Sequence, residues 1–155
     1  MNSAYKKEED SESNYWIWRG FQIFWNVKGK DNNQPIILLH GFGASSNHWR
    51  NNSNYFAHKG YSVYSLDLIG FGNSAQPGIK EIGQLHNGVW SNQVNDFIQQ
   101  VIRPKTSKKI ILIGNSLGSL VALTCAVYCR DEILSVIASP LPDPVITNKK
   151  ESKLN

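Results

Sequence analysis

Apolar positions along this chain recur at two spacings that take turns. Phe21, Ile23, Trp25 and Val27 fall on every second position, which predicts a strand with one buried face. Trp16 and Trp18 alternate in the same way just before it, and Arg19-Gly20 between them reads as a turn. Together they predict an antiparallel hairpin that ends in the polar stretch Lys28 to Asn33, with the tryptophans as packing residues. Pro35-Ile36-Ile37-Leu38-Leu39 is apolar without a break, as a strand buried on both faces must be. Ser45 or Ser46 then offers a cap for a helix carrying Trp49 and Phe56 and ending at Gly60. Tyr61 to Leu66 predicts the next strand. Residues 73–88, with Pro77, Gly78, Gly83 and Gly88, read as irregular. Trp90, Val94, Phe97, Ile98 and Val101 return at helical spacing, and Pro104 stops them. Lys109 to Ile113 is strand-like, Leu117 to Cys129 helix-like, and Ile133 to Ala138 a last short strand before Pro140, Pro142 and Pro144.

Strand and helix therefore alternate after a hairpin. The pattern predicts an α/β fold: a doubly wound, mostly parallel sheet with ligands at the carboxyl ends of its strands. Residues 1–13 are polar and charged and read as a flexible tail; 14–144 form the domain; 145–155 read as a frayed tail.

At 155 residues, 41% hydrophobic and 18% charged, the chain has the length of one ordinary domain with a real core. A net charge of +4 spread over scattered lysine pairs makes no basic stripe, so nucleic-acid binding is not indicated. No run is long enough to span a membrane and the N-terminus lacks a secretory h-region, so the expected location is cytoplasmic. Cys125 and Cys129 read as packed thiols of a reducing compartment, not as a metal pair, and Asn51-Asn52-Ser53 as a polar helix surface. There is no phosphate-binding or dinucleotide-binding glycine motif, so no cofactor is expected.

The candidate chemistry lies at the strand ends. Gly114-Asn115-Ser116-Leu117-Gly118 is a G-x-S-x-G pentapeptide between a strand and a helix, the context of a nucleophile elbow. A Ser nucleophile needs backbone N–H donors aimed at the oxyanion it creates. Leu117, the next residue, supplies one; Phe42, in His40-Gly41-Phe42-Gly43, is the natural second. With Asp67-Leu68-Ile69-Gly70-Phe71-Gly72-Asn73-Ser74, these motifs follow three successive strands.

On those three motifs, over residues 15–144, the chain resembles the α/β-hydrolase superfamily, most closely its pheophytinase-like and epoxide-hydrolase-like branch. The resemblance implies Ser116 as nucleophile and an oxyanion hole from Phe42 and Leu117. It implies a structural Asp67 that bonds turn amides and a His40 that organises its loop without acting as base. Epoxide-hydrolase relatives use an Asp nucleophile; Ser116 implies acyl hydrolysis of an ester-like small molecule instead. Ser119 stands where many relatives have glycine, and Asn115 is a variable elbow position.

In this family's chain order the acid and the base follow the nucleophile. His40, His48, His58 and His86 all precede Ser116, so none matches the catalytic His. Asp143 is a weak candidate for the acid, with Asp131 and Glu132 weaker still. The expectation is an N-terminal half, truncated before the cap and the C-terminal strands, with Asn155 near where a cap would begin. Two readings follow: a serine hydrolase completed by another segment, or a non-catalytic remnant. The second covers a truncated remnant as well as a fragment that works only by pairing with another chain; the partners expected are a complementing C-terminal fragment or self-association through an exposed sheet edge.

Overall fold

The computed structural model describes residues 12–29, 31 and 33–140. Most of both expected tails and Asp143 lie outside the described residues. Six strands form one mixed sheet: β1 (Glu12–Trp18), β2 (Phe21–Lys28), β3 (Gln34–Leu39), β4 (Tyr61–Leu66), β5 (Ile110–Gly114) and β6 (Ile133–Ala138). Their spatial order is β1-β2-β4-β3-β5-β6. β1, β2 and β4 pair antiparallel; β4, β3, β5 and β6 pair parallel. This is the doubly wound, mostly parallel sheet with an N-terminal hairpin. The hairpin turns at Arg19 (φ 50) and Gly20 (φ 84), and positive φ at both central residues is what a two-residue turn matched to strand twist requires. Arg19, a non-glycine in that region, lays its guanidinium 4.7 Å from the centre of the Trp18 ring.

The unbroken apolar run of β3 divides between two cores. Ile37 and Leu39 join Ile23, Trp25, Val27, Tyr64, Leu66, Ile110 and Leu112 on one face. Ile36 and Leu38 join Val63, Ile113 and Trp49 on the other. Helices cover both. α1 (Arg50–His58) packs on the second face, while α3 (Asn87–Phe97) and α4 (Leu117–Tyr128) pack on the first. Chain direction explains this: β3 to β4 steps one way along the sheet and β4 to β5 to β6 the other, so right-handed crossovers place their helices on opposite faces.

Three local expectations are corrected. The helix after β3 starts as a 3-10 turn, Ser46–Trp49, and Ser45 stands at its N-cap without a side-chain bond. The cap comes from a distance: Asp67 Oδ1 accepts the Ser46 N–H at 2.5 Å. The irregular stretch holds one helical turn, α2 (Ile79–Ile82), whose Glu81 carboxylate accepts the Gly78 N–H at 2.7 Å. The helix expected through Val101 is α-helical only to Phe97 and then widens into a π turn, Ile98–Ile102. The wider turn leaves Phe97, Ile98 and Ile102 all fully buried.

Candidate functional site

β3, β4, β5 and β6 run parallel, so the loops after them emerge at one edge of the sheet, and the sequence motifs meet there. Hydrogen bonds stitch the strand ends together. Asn115 N–H donates to Leu39 O at 3.0 Å, Ser139 N–H to Gly114 O at 3.1 Å and Ser116 N–H to Pro140 O at 3.0 Å. Ser116 sits at φ 52, ψ −113, the second of only two positive-φ non-glycines among the described residues. Such a conformation costs about 1–3 kcal/mol and persists only where its surroundings fix it. Here they do: its N–H is bonded as above, and its carbonyl accepts Ser119 N–H at 2.9 Å and Leu120 N–H at 3.3 Å.

The flanking glycines are forced by close approach. A Cβ on Gly114 would stand 2.3 Å from Gly118 O, and one on Gly118 would stand 2.2 Å from Leu39 O. Those are backbone atoms and cannot step aside. The turn after β3 abuts the elbow: a Cβ on Gly41 would lie 3.3 Å from Ser116 Cβ. The Gly41–Phe42 peptide is therefore held beside the serine. Leu117 is the first residue of α4, a position whose N–H has no acceptor within its own helix. The Phe42 ring is 79% exposed and meets Phe71 edge-on, with 5.3 Å between centroids; Phe71 in turn packs on Trp90 at 5.9 Å. Phe71 was missed in the sequence, where its one signal is an aromatic residue between two glycines.

His40 is fully buried and has both ring nitrogens engaged. Nε2 accepts the Leu68 N–H at 3.0 Å, which puts the proton on Nδ1, 2.8 Å from Gly41 O. Burial holds the ring's pKa below its ordinary value of 6.5, against the opposing pull of the Gly41 carbonyl and Asp67. It is a neutral bracket between two site loops. Asp67, also fully buried, does for the turn amides what was expected: Oδ1 takes Ser46 N–H and Oδ2 takes Asn73 N–H at 2.8 Å, while its own carbonyl accepts Ser74 Oγ–H at 2.7 Å.

The remaining candidates lie away from Ser116 or serve other contacts. Glu132 forms an ion pair with Arg103. Burial alone would raise its pKa, but hydrogen bonds from Gln99 and Arg103 outweigh that and lower it. Asp131 is exposed in the turn before β6. His86 caps α3 by accepting the Gly88 N–H, and His48 packs edge-on against Trp49. Ser119 has a role the sequence did not announce. Its buried hydroxyl donates to Gly114 O at 2.8 Å and accepts Ser139 N–H at 3.0 Å, tying the elbow to the end of β6. The Asn115 amide adds a second tie, to Ser139 O at 2.9 Å.

Comparison with known proteins agrees with this geometry. Residues 34–151 match the family model described as alpha/beta hydrolase fold. A 2-hydroxy-6-oxo-6-(2'-aminophenyl)hexa-2,4-dienoic acid hydrolase of Metapseudomonas resinovorans is 32% identical over 88% of this chain and 46% of its own length. Epoxide hydrolase 3 of Xenopus tropicalis is 30% identical over 81% of this chain and 32% of its own. Among solved structures, a thioesterase domain from the curacin biosynthetic pathway superposes with a TM-score of 0.76 at 20% identity, covering 92% of this chain and 52% of that one. The chain thus spans between a third and a half of the length of the curated relatives it matches. No helix among the described residues is long and apolar enough to cross a membrane. On the family match and the shared sheet topology, the chain belongs to the alpha/beta hydrolase fold family.

Proposed function

We propose that Ser116 is the nucleophile of an acyl hydrolase acting on an ester-like small molecule. The observation that carries this is the positive-φ serine at the strand-to-helix turn, its N–H bonded to Pro140 O past the end of β6 and its neighbour Asn115 bonded to the end of β3. In the proposed reaction Ser116 Oγ bonds to the substrate's acyl carbon and its proton passes to a base. The carbonyl electrons move onto oxygen, where the N–H groups of Phe42 and Leu117 receive the charge. Collapse expels the alcohol, which takes up the proton, and water then hydrolyses the acyl-serine. The aromatic surface of Phe42 and Phe71 supports an apolar group on the substrate. No histidine of this chain follows Ser116, and His40 has no free ring nitrogen. On this reading the base is supplied by another polypeptide segment, as the family's order of nucleophile, acid and histidine implies.

That missing base makes chemical rescue the fitting test. p-Nitrophenyl acetate hydrolysis is followed in rising imidazole, for the wild-type chain and for Ser116→Ala. The expected result is an imidazole-dependent rate in the wild type above the solution background, absent in Ser116→Ala. Triad enzymes stripped of their triad retain roughly 10³–10⁴ over water, so even a partial rescue is measurable. Equal rates in both proteins at every imidazole concentration would favour the second reading, a non-catalytic chain that works by pairing. That all four histidines, His40, His48, His58 and His86, precede Ser116 is the observation on that side.

A further inference from the structure

α3 joins the core through Trp90, Val94 and Phe97, and the same buried stripe holds Gln93, whose amide is fully buried too. Helical spacing asks for an apolar residue at that position, because a buried amide is costly unless it is bonded. Its partners lie on the backbone just after β4. Oε1 accepts the Ile69 N–H at 3.0 Å, and Nε2 donates to Asp67 O at 3.4 Å, which also accepts Ser74 Oγ–H. One turn earlier on α3, Trp90 Nε1–H donates to Ile69 O at 3.0 Å. α3 thus grips this segment at three points, and Leu68 stands between them. The Leu68 N–H is the one that His40 Nε2 accepts, at 3.0 Å.

His40 carries the grip to the neighbour of the serine. With Nε2 occupied, the ring proton sits on Nδ1 and is donated to Gly41 O at 2.8 Å; Ala44 N–H, at 3.2 Å, is that oxygen's second donor. The Gly41–Phe42 peptide is trans, and in a planar trans peptide the carbonyl and the N–H point in opposite directions. Whatever turns Gly41 O turns the Phe42 N–H with it.

We propose that Gln93 is a positioning residue for the Phe42 N–H, acting through the 67–69 backbone and His40. The inference rests on the reading of that N–H as an oxyanion donor. An amide suits the place because it accepts and donates at once: an ionised carboxylate would serve Ile69 N–H alone, and a lysine Asp67 O alone. A hydrocarbon of similar length would keep the packing of α3. It would leave Ile69 N–H without an acceptor and take one of two donors from Asp67 O, freeing the segment to turn. Leu68 N–H would then no longer fix the tautomer of His40, and Gly41 O would lose its ring donor.

NMR of the imidazole nitrogens and of amide exchange, together with fluorophosphonate labelling of Ser116, tests this on wild type, Gln93→Met, Gln93→Glu and Val94→Ala. Wild type is expected to show His40 as the Nδ1–H tautomer and a slowly exchanging Leu68 amide. Gln93→Met should mix the tautomers, speed Leu68 exchange roughly tenfold or more, and slow labelling by roughly tenfold. Gln93→Glu keeps an oxygen for the Ile69 N–H, so it should hold the tautomer and label faster than Gln93→Met. Val94→Ala removes buried methyl groups from the same helix and touches none of these bonds. It should lower the urea midpoint and change neither tautomer nor labelling. The Nε2–H tautomer in wild type, an unaltered His40 in a folded Gln93→Met, or the same losses in Val94→Ala would each overturn the proposal. A wild type that takes up no adduct would overturn the catalytic reading instead, and the His40 tautomer and Leu68 exchange would still decide whether Gln93 holds the Gly41–Phe42 peptide.

Discussion

The two residues that follow the leucine of the elbow show how little room this site leaves. At an ordinary helix position Gly→Ala gains about 1 kcal/mol of helix propensity. At Gly118 the new Cβ would sit 2.2 Å from Leu39 O, and overpacking of that kind costs about 1–3 kcal/mol or more, so the clash wins. Gly118→Ala is expected to lower the urea midpoint despite the better helix former. Ser119→Ala should destabilise as well, by about 0.5–1.5 kcal/mol, because the hydroxyl's bonds to Gly114 O and Ser139 N–H are lost while those two groups keep their bond to each other. A midpoint unchanged in either variant would contradict the packing described. At this scale the sequence was legible where a residue's role is local. Ser116 and its glycines announce themselves in five consecutive letters. Ser119 does not, because its second partner lies 20 residues further on and only the pairing of β5 with β6 brings it near.

Among the elements, the loops after β3 and β4 are joined by His40 and Asp67, and that joint has a pH dependence. The His40 pKa is lowered in the folded state, so the unfolded chain binds the proton more readily. The stabilising contribution is fully present above the ordinary value of 6.5 and is lost as the pH falls through the lower folded value. Urea midpoints at pH 7.5 and 5 should show this loss, and His40→Gln should remove the histidine's part of it. A wild-type midpoint that rose on acidification would contradict the buried neutral ring. α3 and α4 are joined differently, through thiols. Cys125 Sγ lies 3.5 Å from Ser91 O and Cys129 Sγ 3.0 Å from Asn95 Oδ1. Burial first, and then Cys129 beside it, push the Cys125 thiol up to about 12, so it is a packing group and not a nucleophile. Periodicity foretold the strands and helices because their apolar positions are a local record of which face is buried. It could not foretell the π turn after Phe97, nor a helix cap supplied by Asp67 from another strand end, since both answer to tertiary packing.

For the whole molecule, the sheet order places three motif-bearing loops and the end of β6 around one serine, and leaves an uncharged strand and an uncharged helix at the side where the described residues stop. The alternation of elements and the order of the three motifs made the α/β-hydrolase architecture legible. The distances that make Gly118 obligatory and leave little room at Gly41 were not, because they are set between the end of β3 and the elbow, far apart in sequence. The central claim is that this arrangement already presents Ser116 for attack on an electrophilic acyl-like centre. A fluorophosphonate probe followed by peptide mass mapping addresses it most directly. The account predicts a covalent adduct on the peptide containing Ser116, slow in the absence of a base and absent in Ser116→Ala. A folded chain that takes up no adduct, or carries it on another residue to the same extent in Ser116→Ala, would contradict it.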